Sequence, residues 1–131
     1  DRNFSPAYKF PQQWITSNGF YQNHQASLVK FLAAWILADN WRKTHFAQDV
    51  AMTSQATGIP ASSLQPQVKA TEWLSGQQLG QIYQSGAELG WYTKLEQFFV
   101  QDGLLNSVTP ASQFVKTGPF MKALKLVESQ T

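Results

Sequence analysis

The stretch NHQASLVKFLAAWILADNW, residues 23–41, carries the strongest structural pattern in this chain. Its apolar residues recur at the i, i+3, i+4 and i+7 spacing that places a stripe on one face of a helix. Val29, Ile36 and Leu37 fill much of the remaining circumference, and a helix that is apolar on nearly all sides is normally covered by protein. We therefore predict a central helix that has Asn23 as its N-cap and is covered on more than one side.

The segment before this helix is predicted to be extended. Pro6 and Pro11 disfavour helical backbone in the residues that precede them, and Trp14-Ile15-Thr16 is typical of a short strand. Ser17-Asn18-Gly19 has the composition of a turn. We predict strand-like structure over residues 8–18, without an alternating run long enough for a complete sheet.

Capping and breaking residues mark the later helices. We expect Thr44 to cap a second helix that Gly58 ends, because glycine readily takes the left-handed conformation after a helix. A third helix from Ser62 requires Pro66 to lie in its first turn. Further boundaries are predicted as a start at Ser75, a break before Gly86, a stop at Gly103 and a last helix from Phe120 to about Glu128. The sequence thus predicts one domain over residues 1–131, mostly α with one or two short strands, and helical between residues 23 and 128.

Composition argues against several functions. Ten basic and eight acidic residues leave a net charge of +2 without a dense basic cluster, whereas a nucleic-acid-binding surface normally shows one. There is no cysteine, which excludes disulfides and thiolate ligands. The apolar stretch from Leu28 to Ala38 is far shorter than the roughly 20 residues that span a bilayer.

The sequence predicts neither catalysis nor a cofactor. His24 and His45 fall in predicted first helical turns, and neither has another ligand residue at metal-binding spacing. No serine lies in a Gly-x-Ser-x-Gly elbow, and the acidic residues are scattered among the helices. Five aromatic residues outside any helical stripe are candidates for a ligand site or, taken singly, for core packing: Tyr8, Phe10, Trp14, Phe20 and Tyr21.

The order of these segments resembles the C-terminal part of the nitrate/sulfonate/taurine class of ABC-transporter substrate-binding proteins, over roughly Tyr8 to Leu124. The similar phrases are FPQQWITSNGF at 10–20, the helix from His24 to Trp41, SQATGIPA at 54–61, WLSGQQ at 73–78 and VQDGLL at 100–105. The phrase around Gly58-Ile59-Pro60 is the most specific of them.

The resemblance implies a fragment of the α/β, two-lobed periplasmic-binding-protein fold, because members of the class are about twice this length or more. It implies a solute-binding component of an ABC importer that recognises a small organic anion such as an alkanesulfonate or taurine. By the same resemblance, Tyr8, Phe10 and Trp14 would contact the ligand beside the cleft. The implied partners are the permease, and the missing lobe of the same protein or a second copy.

Two further expectations accompany this assignment. Such receptors are periplasmic or extracytoplasmic, with or without a membrane anchor, and a chain beginning at Asp1 would be a processed product or an excised piece. The alternative is a self-contained helical protein-interaction module, whose glycine-broken helices and aromatic residues form a protein-binding surface.

Overall fold

The computed structural model describes residue 9 and residues 11–130 of the chain. Its elements, in order, are α1 (Asn18–Asn23), α2 (Gln25–Arg42), α3 (Phe46–Thr57), α4 (Ala61–Ala70), α5 (Gly76–Ser85), α6 (Ala87–Gln101), a 3-10 turn (Ala111–Gln113) and α7 (Gly118–Glu128). The mostly-α prediction is confirmed. The short strands are not found, since the described residues contain no strand.

The predicted strand over residues 8–18 is wrong wherever it can be compared with the structure. Trp14-Ile15-Thr16 is irregular, and Ser17 caps α1 by accepting a hydrogen bond from the Phe20 N–H at 3.2 Å. The predicted turn residues Asn18 and Gly19 form the first turn of that helix. A single extended run becomes a strand only beside a second one, and residues 11–130 offer no partner.

Helix α2 forms the core together with α7. The buried residues of the core cluster come from these two helices: Ala33, Ile36, Phe120, Ala123, Leu124 and Val127. The predicted N-cap is wrong, because Asn23 ends α1 and donates its side-chain amide to the Gly19 carbonyl oxygen at 3.0 Å. His24 occupies the N-cap position of α2 instead.

Two glycines bring α5 close to this core. A Cβ atom on Gly76 would lie 2.6 Å from Ile36 Cγ2, and one on Gly80 would lie 2.5 Å from Leu124 Cδ2. Both distances are well inside van der Waals contact, so only glycine fits here without movement of a neighbour. The four-residue spacing of these glycines therefore serves close helix packing.

Most predicted helix ends are confirmed. Gly58 and Gly86 have φ angles of 72° and 70° and follow α3 and α5, as expected for the left-handed conformation. Ser75 caps α5 in a reciprocal capping box with Gln78. Helix α6 ends at Gln101, just before Gly103.

Two further predictions about helix ends and one about Pro66 are wrong. Thr44 does not cap α3, because its hydroxyl donates to the Trp41 carbonyl oxygen at 3.1 Å and so closes the end of α2. Pro66 lies inside α4, beyond the first turn, at an exposed position where one backbone hydrogen bond is lost. The last helix begins at Gly118, which places Pro119 in its first turn.

Candidate binding surfaces

One side of α2 is apolar and exposed. This outer face comprises Phe31, Ala34, Leu37, Ala38 and Trp41, opposite the residues that pack on α7. Its large side chains Phe31, Leu37 and Trp41 remain 46%, 49% and 40% exposed, respectively. The face runs for about 15 Å along the helix. The expected cover on more than one side of α2 is therefore incomplete within the part of the chain described here.

Trp14 extends this exposed surface. Its ring packs edge-on against Phe31 with centroids 4.8 Å apart, yet the residue is 61% exposed and the neighbouring Ile15 is 87% exposed. Trp14 is thus a surface residue with one fixed contact rather than a core residue. Its role in ligand contact stays a prediction, and Tyr8 and Phe10 lie outside the described residues.

A second exposed apolar group follows α6. Leu104, Leu105 and Val108 lie in the loop after this helix, and Phe114 packs edge-on against Tyr92 with centroids 5.7 Å apart while remaining exposed. Soluble monomers seldom expose many large apolar side chains in contiguous patches. Such surfaces are typical of proteins that meet a partner.

A cavity of about 480 Å³ opens between α3 and α4. Its walls are apolar and come mainly from Phe46, Val50, Ala51, Val68 and Trp73. Gln65 and Lys69 of α4 add an amide and a cation to the lining. The volume falls within the range of small-molecule sites, which is roughly 300–1,000 Å³.

Arg42, the last residue of α2, contacts Trp73 of the cavity lining and two aspartates. Its guanidinium carbon lies 4.6 Å from the centroid of the Trp73 ring, Nη1 is 3.5 Å from Asp39 Oδ1 and Nε is 3.3 Å from Asp49 Oδ2. Burial raises the pKa of Asp39, while the charges of Arg42 and Lys43 oppose that rise. Sequence reasoning missed this cluster, although the i, i+3 spacing of Asp39 and Arg42 was a local signal for one of its pairs.

The two histidines make local contacts. The His45 ring stacks on Trp41 with centroids 4.5 Å apart, and its Nδ1 lies 2.8 Å from the Trp41 carbonyl oxygen. The His24 ring packs on the Phe20 ring with centroids 4.7 Å apart.

Among residues 9 and 11–130, no three His, Asp or Glu side chains are grouped closely enough to hold a metal ion. Over the same residues, no helix has both the length and the hydropathy to cross a bilayer.

A buried acidic group lies at the start of α6. Glu88 is buried, and its Oε2 atom has no hydrogen-bond partner among the described residues. Burial raises the pKa of Tyr83 to about 12, with smaller contributions from Tyr92 and from the Glu88 charge. Burial and Glu88 raise the pKa of Tyr92 as well. Both phenols therefore keep their protons to a higher pH than an exposed tyrosine, whose pKa is about 10.

Comparison with known proteins identifies distant relatives. The chain is 23% identical over 105 residues, or 80% of its length, to proteins of Brucella abortus (strain 2308), Brucella suis biovar 1 and Brucella melitensis biotype 1, each named provisionally as a binding protein. The chain spans about a third of the length of these curated relatives, with the match covering 33% of each. No family model and no solved structure matches. The chain is thus similar to part of a group of proteins named for binding.

Proposed function

We propose that this chain is the C-terminal part of a longer solute-binding protein and that its role is binding rather than catalysis. The observation that carries the proposal is the exposed, apolar outer face of α2, with Trp14 packed at its edge. A helix of this kind needs cover on that side as well. The relatives, which are about three times longer than the matched segment and are named for binding, support a parent protein that provides the cover.

Within that role, we propose a receptor for an ABC importer, specific for a small organic anion such as an alkanesulfonate or taurine. The support is the resemblance over Tyr8 to Leu124. Its most specific phrase, around Gly58-Ile59-Pro60, forms the turn between α3 and α4, and Gly58 has the left-handed φ of 72°. The permease would be the partner, and the location would be periplasmic or extracytoplasmic.

We propose that the solute binds where this chain faces the missing lobe, with Trp14, Tyr8 and Phe10 as contacts. Trp14 suits this role because it is exposed while its ring is held by Phe31. Two lobes that close around a solute would bury such a ring only in the bound state.

The test uses the intact protein that carries this chain. Its thermal unfolding should shift upward with taurine, ethanesulfonate or nitrate, because a ligand that binds only the folded state stabilises it by about 2.7 kcal/mol at 100 times the dissociation constant. Trp14→Ala should reduce this shift more than it lowers the unliganded melting temperature. Met52→Ala is the matched control, since Met52 is 62% exposed, much like Trp14 at 61%, and lies on α3, away from the outer face of α2 and from the proposed contact.

Two results would count against the proposal. If none of these anions raises the melting temperature of the intact protein, the proposed anion-receptor function is wrong. Capture of a protein partner through the outer face of α2, with no effect of any of these anions on the intact protein, would favour the helical interaction module instead.

A further inference from the structure

The end wall of the cavity between α3 and α4 is a fixed indole. The Trp73 indole N–H donates to the Val68 carbonyl oxygen at 2.9 Å, and the guanidinium carbon of Arg42 lies 4.6 Å from the ring centroid. Phe46 packs on the same indole with centroids 5.9 Å apart. Turning Trp73 into the gap would break the hydrogen bond and the cation–π contact, so this wall is preorganised for a ligand.

The cavity is apolar and open to solvent on one side. Among its lining residues, Val50 is buried and Val68 is half-buried, whereas Ala47 and Ala51 of α3 are exposed. The exposed alanines mark the open side, and their small side chains leave room for a ligand to enter. An apolar molecule placed here would lose much of its contact with water and pack against aliphatic and aromatic walls.

The volume suits a body of two fused rings. An engineered apolar cavity of about 150 Å³ binds one benzene molecule. The cavity between α3 and α4, at about 480 Å³, is about three times as large. A two-ring body fits within this volume and buries more apolar surface than a single ring does, so it is the better match.

The charged groups around the cavity are already engaged within the chain. Lys69 belongs to the lining, but it has an interaction of its own within this chain. Arg42 pairs with Asp49 at 3.3 Å, and Glu72, next to Trp73 in sequence, pairs with Lys9. A charged ligand would have to displace one of these existing contacts or enter the apolar lining without a partner, which is costly. The cavity therefore favours an uncharged ligand.

We propose that this cavity binds a small neutral molecule with an apolar body of about two fused rings, whose hydroxyl or carbonyl group bonds to the exposed side-chain amide of Gln65. The site goes beyond the proposed function, because it lies within this chain and needs no second lobe. Its ligand also differs in class, since it is uncharged and apolar whereas the proposed solute is an organic anion.

The test is a titration of the intact protein that carries this chain, followed by the indole N–H signal of Trp73 in a nitrogen–proton correlation spectrum and assigned with Trp73→Phe. The neutral probe 2-naphthol should shift this signal saturably. Phenol, which has one ring, should bind at least about fivefold more weakly because it buries less apolar area. The anion 2-naphthoate and the cation N-methylquinolinium have the same two-ring size, and each should bind at least about fivefold more weakly because of its charge.

Two kinds of variant test the position of the site, each with a matched control. Ala51→Phe fills the cavity and should weaken 2-naphthol binding more than about tenfold, while Ala56→Phe, exposed on the same helix outside the lining, should not. Gln65→Ala should weaken binding by about two- to fivefold with the loss of one hydrogen bond, and Gln67→Ala, exposed on α4 outside the lining, should leave it unchanged. Circular dichroism confirms that each variant is folded, and Ala47→Phe, at another lining position, replaces Ala51→Phe if that variant is not.

Three results would each overturn the proposal: binding of phenol or of either charged probe as tightly as 2-naphthol, unchanged binding by the folded filling variant, or no shift of the Trp73 signal at millimolar 2-naphthol. Unchanged binding by Gln65→Ala would overturn the hydrogen bond to the amide. None of these results bears on the anion receptor, which is tested by the thermal response of the intact protein to taurine. Failure of one proposal therefore leaves the other standing.

Discussion

Replacing Gly76 with alanine is expected to destabilise the chain, although alanine is normally the better helix former. The added Cβ would lie 2.6 Å from Cγ2 of Ile36, a side chain with 0% exposure in the centre of the core. Cγ2 is bonded directly to Cβ of Ile36, so this methyl group can move away only if the whole side chain rotates or the helices separate.

The magnitude follows from two opposing contributions. Overpacking of a closed core costs about 1–3 kcal/mol. Alanine recovers up to about 1 kcal/mol over glycine inside a helix, and less at Gly76, because this residue is the first of α5. The expected net loss is about 1–2 kcal/mol of unfolding free energy, which lowers a urea midpoint by roughly 1 M.

The assay is urea unfolding followed by circular dichroism, with Gly90→Ala as the matched control. Gly90 lies within α6, and a Cβ there meets nothing within 4 Å, so alanine should stabilise by about 0.5–1 kcal/mol. The double variant Gly76→Ala, Ile36→Leu removes the β-branch and should regain part of the loss, which a double-mutant cycle would measure. Stabilisation by Gly76→Ala equal to that by Gly90→Ala would refute the close packing of α5 on α2.

Three further predictions follow from particular contacts. The pKa of Tyr83 is raised from 10.0 to about 12, so the folded state keeps the phenol proton to a higher pH than the unfolded state does. This contribution to stability is fully present below pH 10 and is lost as the pH rises from 10 to 12, by at most about 2.7 kcal/mol. Tyr83→Phe should therefore flatten the fall of the unfolding free energy in that range, and an unchanged pH profile would contradict the burial of Tyr83. Arg42→Gln should cost about 1–2 kcal/mol at pH 7 by removing the ion-pair partner of buried Asp39, and the cost in chemical unfolding should shrink as acid protonates Asp39; a pH-independent cost would contradict this pairing. Ser75→Ala should lose about 1 kcal/mol with the capping box of α5, whereas Ser107→Ala, in an exposed loop, should be neutral in the same urea assay.

Helix ends that depend on local chemistry were predictable. Gly58 and Gly86 have the positive φ that glycine tolerates best, and Ser75 with Gln78 forms a capping box that can be recognised within four residues. The mostly-α class follows from the same signals, because helical hydrogen bonds lie within each segment.

Features that depend on distant partners were not predictable. Trp14-Ile15-Thr16 has the composition of a strand, but residues 11–130 contain no second strand to pair with it. Its composition alone therefore predicts a strand that does not form. The periodicity of α2 does not tell which of its apolar sides meets α7 and which remains exposed. The α3–α4 cavity is lined by Trp73, whose ring lies against Arg42, a contact between residues far apart in sequence.

The most direct test of the account is the accessibility of the outer face of α2. Because these 131 residues contain no cysteine, Ala38→Cys gives them a single thiol on the outer face of α2, and Gln84→Cys gives them one at an exposed position of α5 as a control. Thiol labelling at Ala38→Cys should be fast in the 131-residue chain and at least about tenfold slower in the intact protein, while Gln84→Cys reacts equally in both. Equal, fast labelling of Ala38→Cys in the intact protein would show that nothing covers this face, and would contradict the proposal that the chain is one part of a larger binding protein.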